Sequence, residues 1–175
     1  MFTNPEQNIS QLNITPGMRV ADIGAGTGFY SLLLAKLVGN SGKVYAIDIQ
    51  KDLLEKLKAE SRKDHLLNID IVWGDMERLG GSKLGAGVAD VAILSNILFQ
   101  IKDKNTFLLE TKRILKPGGR VMVVDWTDSF GGMGPQSKDV LNEMMAKELF
   151  DKNGFSIERS FFAGDHHYGL IFKKI

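Results

Sequence analysis

Residues 22–28 read DIGAGTG and lie between a short apolar run and a longer helical pattern. Residues 18–23 (MRVADI) have the nearly continuous apolar composition of a strand that is buried on both faces, as in a parallel sheet. The glycines at 24, 26 and 28 allow the backbone to approach a ligand and to present amide groups at a helix N-terminus. Because ligands of open α/β sheets bind beyond the carboxyl ends of the strands, this segment predicts both a fold class and a binding site.

The same alternation of strand and helix continues along the chain. Further strands are predicted at residues 43–48, 68–73, 89–94 and 120–125, and helices at residues 27–38, 51–64, 103–115 and 137–152. Residues 155–162 and 168–175 are strand-like and flank the turn residues Gly164 and Asp165, which indicates a closing hairpin. We expect one α/β domain over residues 1–175, with residues 1–16 as a short lead-in. Residues 127–136, around Met133, form the longest loop and a candidate lid, and Met144 and Met145 are expected in the core.

Composition excludes several classes of function. The 175 residues carry 22 Lys and Arg against 21 Asp and Glu, and this net charge of +1 argues against a broad basic surface for nucleic acid. The absence of cysteine excludes disulfides, thiolate metal sites and cysteine nucleophiles. No apolar run reaches the roughly 18 residues of a membrane span, and residues 1–10 lack the pattern of a signal peptide. We therefore expect a soluble cytoplasmic protein without a metal ion, a DNA partner or a membrane span, whose oligomeric state stays open.

The spacing of the glycines favours a ligand without phosphates. A dinucleotide-binding loop has the pattern G-x-G-x-x-G, whereas this loop reads G-x-G-x-G and has Phe29 where the third glycine would stand. Asp22 adds a carboxylate, which would repel a pyrophosphate but attract an ammonium group. The loop therefore favours a nucleotide that carries an amino acid. Thr27 is the expected N-cap of the helix that follows.

Two further acids follow predicted strands. Asp48 ends the second strand, where a carboxylate can accept both hydroxyls of a ribose, and the next residue, Ile49, can lie against a purine. Asp75 follows the third strand and can accept the exocyclic amine of adenine. Each acid has a structural alternative, since a carboxylate at the end of a strand also caps the helix after it. In chain order, Asp22, Asp48 and Asp75 would contact the amine, the ribose and the base of one ligand.

Five segments together resemble the successive motifs of the class I S-adenosylmethionine-dependent methyltransferases. They are VADIGAGTGFYS (20–31), VYAIDIQ (44–50), WGDMERL (73–79), ADVAILSN (89–96) and LKPGGRVMVVDW (115–126). The resemblance is strongest to the group that includes the ubiquinone/menaquinone-biosynthesis C-methyltransferases. It implies a Rossmann-like open twisted sheet of seven strands in the order 3-2-1-4-5-7-6, with strand 7 antiparallel and helices on both faces.

The resemblance also implies a cofactor, S-adenosyl-L-methionine, and a set of residues that bind it. By position in the motifs these residues are Asp22, Gly24, Ala25, Gly26, Gly28, Asp48, Ile49, Gly74, Asp75, Met76, Ser95 and Asn96. The implied reaction is transfer of a methyl group to a small-molecule acceptor by in-line displacement. A methyltransferase that acts on RNA or protein, a cofactor-binding module without catalysis and an NAD-dependent oxidoreductase stay as alternatives.

No catalytic residue can be assigned from the sequence. Many relatives carry a histidine soon after strand 4, whereas this chain reads NILFQ at residues 96–100, so a general base at that place is in doubt. If the acceptor needs a base, the candidates are Asp125 and Asp128 after strand 5 and His166 and His167 in the closing hairpin. For each of them a purely structural role is favoured.

Overall fold

The computed structural model of the chain describes residues 3–132 and 134–175. Its strands are β1 (Arg19–Ile23), β2 (Lys43–Asp48), β3 (Ile69–Trp73), β4 (Ala89–Ser95), β5 (Leu115–Trp126), β6 (Phe155–Gly164) and β7 (His167–Lys174). Its helices are α1 (Pro5–Ile9), α2 (Phe29–Val38), α3 (Lys51–Lys63), α4 (Lys104–Ile114) and α5 (Glu143–Lys152). Short 3-10 turns lie at Ser10–Leu12, Leu98–Gln100 and Ser137–Asp139.

The strands form a single sheet in the order β3-β2-β1-β4-β5-β7-β6. Strands β1 to β5 pair in parallel, and β7 runs antiparallel to both β5 and β6. The predicted strand order and the closing hairpin are therefore confirmed. The carboxyl ends of β1, β2, β4 and β5 lie at one edge of the sheet, and the antiparallel direction of β7 brings its first residue, His167, to the same edge.

Apolar side chains cover both faces of the sheet, which is why the parallel strands read as nearly continuous apolar runs. On one face α1 and α2 pack against the sheet through residues such as Ile9, Leu34 and Val38, and α3 adds Leu57 there. On the opposite face α4 and α5 contribute Phe107 and Phe150. The helices thus lie on both faces, as the resemblance implies.

Helix α2 begins two residues later than predicted. Gly28 holds the N-cap position with φ 92°, a left-handed conformation that a residue with a Cβ rarely adopts, and no side chain caps the helix. The prediction that Thr27 is the N-cap is therefore wrong. The helix is less buried than its composition suggests, because Phe29 at its first position is 74% exposed.

Helix α5 is shorter than the predicted helix 137–152. The Asn142 side chain accepts a hydrogen bond from the backbone N–H of Met145 at 3.0 Å and starts the helix at Glu143. Met144 and Met145 lie on the outer side of this helix, where they are 68% and 47% exposed. The prediction that both methionines belong to the core is wrong, because Ala146 and Phe150 form the buried face of α5.

Three further expectations concern a membrane span, a metal site and the candidate lid. In the part of the chain that the structure describes, no helix is both long and apolar enough to cross a bilayer. The described residues also contain no group of three or more metal-ligating side chains. Met133, at the centre of the candidate lid, lies outside the described residues.

Candidate active site

A cleft of about 300 Å³ opens at the carboxyl ends of β1, β2, β3 and β4. Its wall combines apolar side chains from the strands and from α4 with polar groups from the loops that follow the strands. Of the cofactor-binding residues predicted from the sequence, the cleft is lined by Gly24, Gly26, Asp48, Ile49, Gly74, Asp75, Met76 and Asn96. The remaining predicted residues, Asp22, Ala25, Gly28 and Ser95, lie outside this lining.

The glycine loop folds back over the end of β2. The backbone N–H groups of Gly24 and Ala25 both donate to the carbonyl of Ile47, at 2.8 and 3.0 Å. A Cβ at Gly24 would meet Ile97 at 2.3 Å, whereas a Cβ at Gly26 would meet nothing within 4 Å. The left-handed φ of 74° at Gly24 favours glycine there, as does the contact with the end of the Ile97 side chain, and position 26 leaves open space over its backbone.

Asp48 connects this loop to the start of α3. Its Oδ2 accepts the backbone N–H of Gly26 at 2.8 Å, and its Oδ1 accepts that of Gln50 at the same distance. Each carboxylate oxygen has a second acceptor site. The side chain is 8% exposed and lines the cleft, so those remaining sites are available to a ligand there.

The loop after β3 carries Asp75 and is held by α4. Asp75 accepts the backbone N–H of Glu77 at 3.0 Å and forms an ion pair with the exposed Arg78. The buried Glu110 of α4 accepts the backbone N–H groups of Gly80 and Ser82, at 2.8 and 3.1 Å. These bonds fix the loop that forms one wall of the cleft.

Sequence reasoning missed Glu110. Burial raises the pKa of its carboxyl, but hydrogen bonds from Arg113, Ser82 and Gly80 outweigh burial and lower the pKa to about 2. The helical pattern of the sequence did mark Glu110, because it stands three residues after Phe107 and four before Ile114, on the buried face of the helix. A charged residue on an apolar face is buried only with partners.

Asp22 lies beneath the glycine loop and outside the cleft. Successive side chains of a strand point to opposite faces, so Ile23 faces the cleft and Asp22 faces α2, where it accepts the Ser31 hydroxyl at 2.6 Å. Burial raises the pKa of Asp22 to about 6. Asp22 therefore does not line the cleft, where its predicted contact with an ammonium group would be made.

Asn96 follows β4 and has the left-handed φ of 54° that asparagine tolerates better than most residues. Its side-chain Oδ1 is buried and has no hydrogen-bond partner among the described residues. A buried acceptor without a partner costs stability, so this atom is suited to a donor from a bound molecule. Because Asn96 lines the cleft, that donor would lie inside it.

The charge of the cleft selects among ligands. The described residues that line it include the acids Asp48, Asp75 and Glu77 but no lysine or arginine. An acidic lining disfavours a pyrophosphate and favours a ligand with hydroxyls, amines or positive charge. The residues present therefore fit an amino-acid-bearing nucleotide better than a dinucleotide.

The candidate bases occupy different surroundings. Asp125 is buried, and its Oδ2 and Oδ1 accept the backbone N–H groups of Leu98 and Trp126, each at 2.8 Å. It therefore shapes the loop after β4. The exposed Asp128 bonds Nδ1 of His166 at 2.9 Å, and His167 is buried with its ring 4.3 Å from that of Trp126.

The family model that matches this sequence is described as "Methyltransferase domain" and covers residues 14–165. The chain belongs to this family. The methyltransferase family predicted from the sequence motifs is thereby confirmed.

Named relatives of this methyltransferase-family chain are also methyltransferases. It is 35% identical over 109 residues to a demethylmenaquinone methyltransferase of Lactococcus lactis, covering 62% of this chain and 42% of the relative. It is 34% identical over 123 residues to the ubiquinone/menaquinone biosynthesis C-methyltransferase UbiE of Burkholderia vietnamiensis, covering 68% and 47%. The chain thus spans about half the length of the curated relatives it matches.

A solved structure extends the similarity to nearly the whole chain. The crystal structure of a SAM dependent methyltransferase from Aquifex aeolicus superposes with a TM-score of 0.90 at 26% identity. The match covers 99% of this methyltransferase-family chain and 91% of the Aquifex chain. The observed seven-stranded sheet is therefore that of a known methyltransferase.

Proposed function

We propose that this chain binds S-adenosylmethionine in the cleft and transfers its methyl group to a small-molecule acceptor. The observation that carries the proposal is the make-up of the cleft wall. It joins the open backbone of Gly26, the Asp48 carboxylate and the unpartnered Oδ1 of Asn96 in an acidic lining without basic side chains. This set offers acceptors to hydroxyls and amines and offers no cation to a phosphate.

Each part of the cofactor has candidate residues. We assign the ribose hydroxyls to Asp48, the faces of the adenine to Ile49 and Met76, and its amine edge to Asp75. The amino-acid end is assigned to the glycine loop and to the segment after β4, that is Asp22, Gly24, Ala25, Gly26, Gly28, Ser95 and Asn96. Gly74 permits the close approach of the loop, since a Cβ there would meet the carbonyl of Gly81 at 2.6 Å.

When bound, S-adenosylmethionine supplies a methyl group on a sulfonium, which is a good leaving group. The protein's contribution is then mainly to orient the reactants and to exclude water. The fixed loops do the first: Asp48 holds the glycine loop, and Glu110 holds the loop after β3. The apolar side chains of Ile97 and Phe107 in the cleft wall do the second.

The acceptor is inferred from charge and from the relatives. The relatives' names refer to demethylmenaquinone and to the biosynthesis of ubiquinone and menaquinone. These quinones are small molecules rather than macromolecules. The net charge of +1 also favours a small molecule over RNA. Cytoplasmic location stays a prediction.

Calorimetry and a product assay test the proposal. We expect S-adenosylmethionine and S-adenosylhomocysteine to bind with similar affinity and NADH not to bind. Release of S-adenosylhomocysteine in the presence of an acceptor distinguishes a methyltransferase from a binding module. Tighter binding of NADH than of either sulfur compound would overturn the assignment.

A further inference from the structure

Asp125, one residue before the end of β5, is a buried acid that the proposed function does not use. It is 2% exposed, and its Oδ2 and Oδ1 accept the backbone N–H groups of Leu98 and Trp126, each at 2.8 Å. The N–H of Ile97 also bonds to this carboxylate. A general base must reach the proton that it removes, whereas Asp125 faces backbone donors and does not line the cleft. Its position is that of a group that holds chain segments together.

The carboxyl of Asp125 is mostly ionised at neutral pH although it is buried. Burial raises its pKa to about 6, and the hydrogen bonds from the backbone of Trp126, Leu98 and Ile97 keep the pKa from rising further. The positive charge of Lys104, at the start of α4, acts in the same direction. Hydrogen bonds to an ionised acceptor are stronger than those to a neutral one. Residues 97 and 98 are therefore held firmly.

The segment that Asp125 holds, residues 96–98, forms part of the cleft wall. Asn96 and Ile97 both line the cleft. The end of the Ile97 side chain also packs on the glycine loop, where it occupies the space that a Cβ at Gly24 would need. Asp125 thus joins the end of β5 to the loop after β4 and, through that loop, to the glycine loop.

Asn96 depends on support from its neighbours. Its φ of 54° is a left-handed conformation that costs free energy for a residue with a Cβ, and its buried Oδ1 has no hydrogen-bond partner among the described residues. A conformation of this kind persists where the surrounding contacts impose it. The bonds from Asp125 to the next two residues are such contacts.

We propose that Asp125 is a positioning residue for the cofactor, which holds residues 96–98 so that Asn96 presents its Oδ1 to the ammonium group of the cofactor's amino-acid part. The inference rests on the proposed function, since it needs S-adenosylmethionine in the cleft. Asp125 itself contacts no part of the cofactor and acts through Asn96. The acid that the sequence offered as a candidate base thereby acquires a role in binding.

Two ligands separate the amino-acid end from the rest of the cofactor. S-adenosylhomocysteine carries the amino acid, whereas 5′-methylthioadenosine keeps the adenosine and the sulfur and lacks it. Asp125→Asn preserves the shape of the side chain but replaces one acceptor oxygen by a donor, which opposes a backbone N–H. We expect this variant to bind S-adenosylhomocysteine about tenfold more weakly, as loss of a charge-assisted hydrogen bond does, and 5′-methylthioadenosine less than about twofold more weakly.

Calorimetry with the intact chain measures these affinities. Asp70→Asn, the same substitution at an exposed position of β3, is the matched control and should change neither affinity. Equal weakening of both ligands by Asp125→Asn, or no weakening of either, would overturn the positioning role. If the unsubstituted chain binds neither ligand, the proposed function itself fails, and this inference fails with it.

A double-mutant cycle tests whether Asp125 acts through Asn96. Asn96→Ala removes the acceptor and should weaken S-adenosylhomocysteine selectively. If the two residues act in series, the double variant should bind S-adenosylhomocysteine as Asn96→Ala does, within about twofold, because coupled sites are not additive. Losses that multiply to about 100-fold would show that Asp125 acts independently of Asn96, contrary to the proposal.

A spectroscopic measurement needs no substitution and so does not depend on the folding of a variant. In the unsubstituted chain, saturating S-adenosylhomocysteine should shift the NMR resonances of the Leu98 backbone amide and of the Asn96 side-chain amide. Saturating 5′-methylthioadenosine should leave both in place, while the backbone amide of Gly26 should shift with either ligand. Equal shifts of the Leu98 and Asn96 resonances with the two ligands would contradict the proposed contact with the amino-acid part.

Discussion

The carboxylate of Asp48 accepts the backbone N–H of Gly26 at 2.8 Å and so joins the end of β2 to the glycine loop that follows β1. Its other oxygen accepts the N–H of Gln50, at the start of α3. Asp48 thus does not cap α3, which has no side-chain cap, and its hydrogen bonds to the backbone are compatible with the proposed binding of a ribose. One side chain shapes the loop and presents its remaining acceptor sites to the cleft.

The first prediction concerns this acid. Asp48→Ala should weaken binding of S-adenosylhomocysteine at least tenfold, because hydrogen bonds to a charged group contribute about 1.5–3 kcal/mol each. The same loss is expected for 5′-methylthioadenosine, which keeps the ribose and lacks the amino acid. Calorimetry measures both affinities.

Asp52→Asn is the control for this prediction, since Asp52 is exposed in the first turn of α3 and should leave both affinities unchanged. An unchanged dissociation constant for Asp48→Ala would show that the ribose binds elsewhere.

The second prediction contrasts two glycines of the loop. A Cβ at Gly28 would meet Leu57 at 2.1 Å and stand on a backbone with φ 92°, whereas Gly26, with φ 56°, has open space around it. Gly28→Ala should therefore lower the free energy of unfolding by more than about 2 kcal/mol. Gly26→Ala should lower it by only about 1–2 kcal/mol, the cost of a left-handed residue.

Ligand binding should rank these variants in the opposite way. Gly26 lines the cleft, so a methyl group there takes space from the cofactor, whereas Gly28 lies outside the lining. Among folded molecules, we expect Gly26→Ala to lose more affinity for S-adenosylhomocysteine. Urea unfolding and calorimetry give the two rankings, and equal effects of both variants in both measurements would contradict this account.

The sequence was sufficient for the strand order because the apolar runs and the motifs after them depend on local pattern and on a resemblance. It was insufficient where a single side chain sets a boundary. The Asn142 cap competes with residues 137–141 for the start of α5, and apolar periodicity alone does not resolve that competition. At the start of α2 the boundary is set by the left-handed backbone of Gly28, with no side-chain cap.

The candidate site was predictable where its residues follow strands, as Asp48, Asp75 and Asn96 do. Contacts between distant parts of the chain were not predictable. Glu110 meets Gly80 and Ser82 across about 30 positions of sequence, and His167 meets Trp126 across 41 positions (167 − 126). The sequence carries no spacing rule for such pairs.

The third prediction concerns Glu110. Its pKa is lowered from 4.5 to about 2, so the carboxylate stabilises the folded chain fully above pH 4.5 and loses this effect as the pH falls through about 2. Glu110→Gln should lower the free energy of unfolding at pH 7 by about 2–4 kcal/mol, because it removes the buried carboxylate that pairs with the half-buried Arg113. Urea unfolding at several pH values measures both effects.

Glu110→Gln should also weaken binding of the cofactor. Glu110 fixes the loop that carries Asp75, so loosening that loop is expected to weaken 5′-methylthioadenosine and S-adenosylhomocysteine equally. Glu55→Gln, at an exposed position of α3, is the control and should change neither stability nor affinity. A Glu110→Gln variant that unfolds like the parent at pH 7 would refute the stabilising role.

The fourth prediction separates stability from binding at Asp22. Burial raises its pKa from 3.8 to about 6, so in this interval the folded chain binds more protons than the unfolded chain. Stability therefore falls as the pH rises from about 4 to 6, by up to about 3 kcal/mol from this group. Asp22→Asn removes this cost, since an amide oxygen can still accept the Ser31 hydroxyl. We expect the variant to be more stable than the parent at pH 8, by about 1–2 kcal/mol.

Whereas stability should rise in Asp22→Asn, the affinity for ligands should fall, and only for ligands that carry an amine. If the Asp22 charge attracts the ammonium group of the cofactor, Asp22→Asn should weaken S-adenosylhomocysteine about tenfold and leave 5′-methylthioadenosine unchanged. The buried position of Asp22 makes this effect possible without direct contact, because charges are poorly screened in the interior. A variant that is stabilised at pH 8 but binds both ligands like the parent would leave Asp22 a structural role under α2 and exclude it from cofactor recognition.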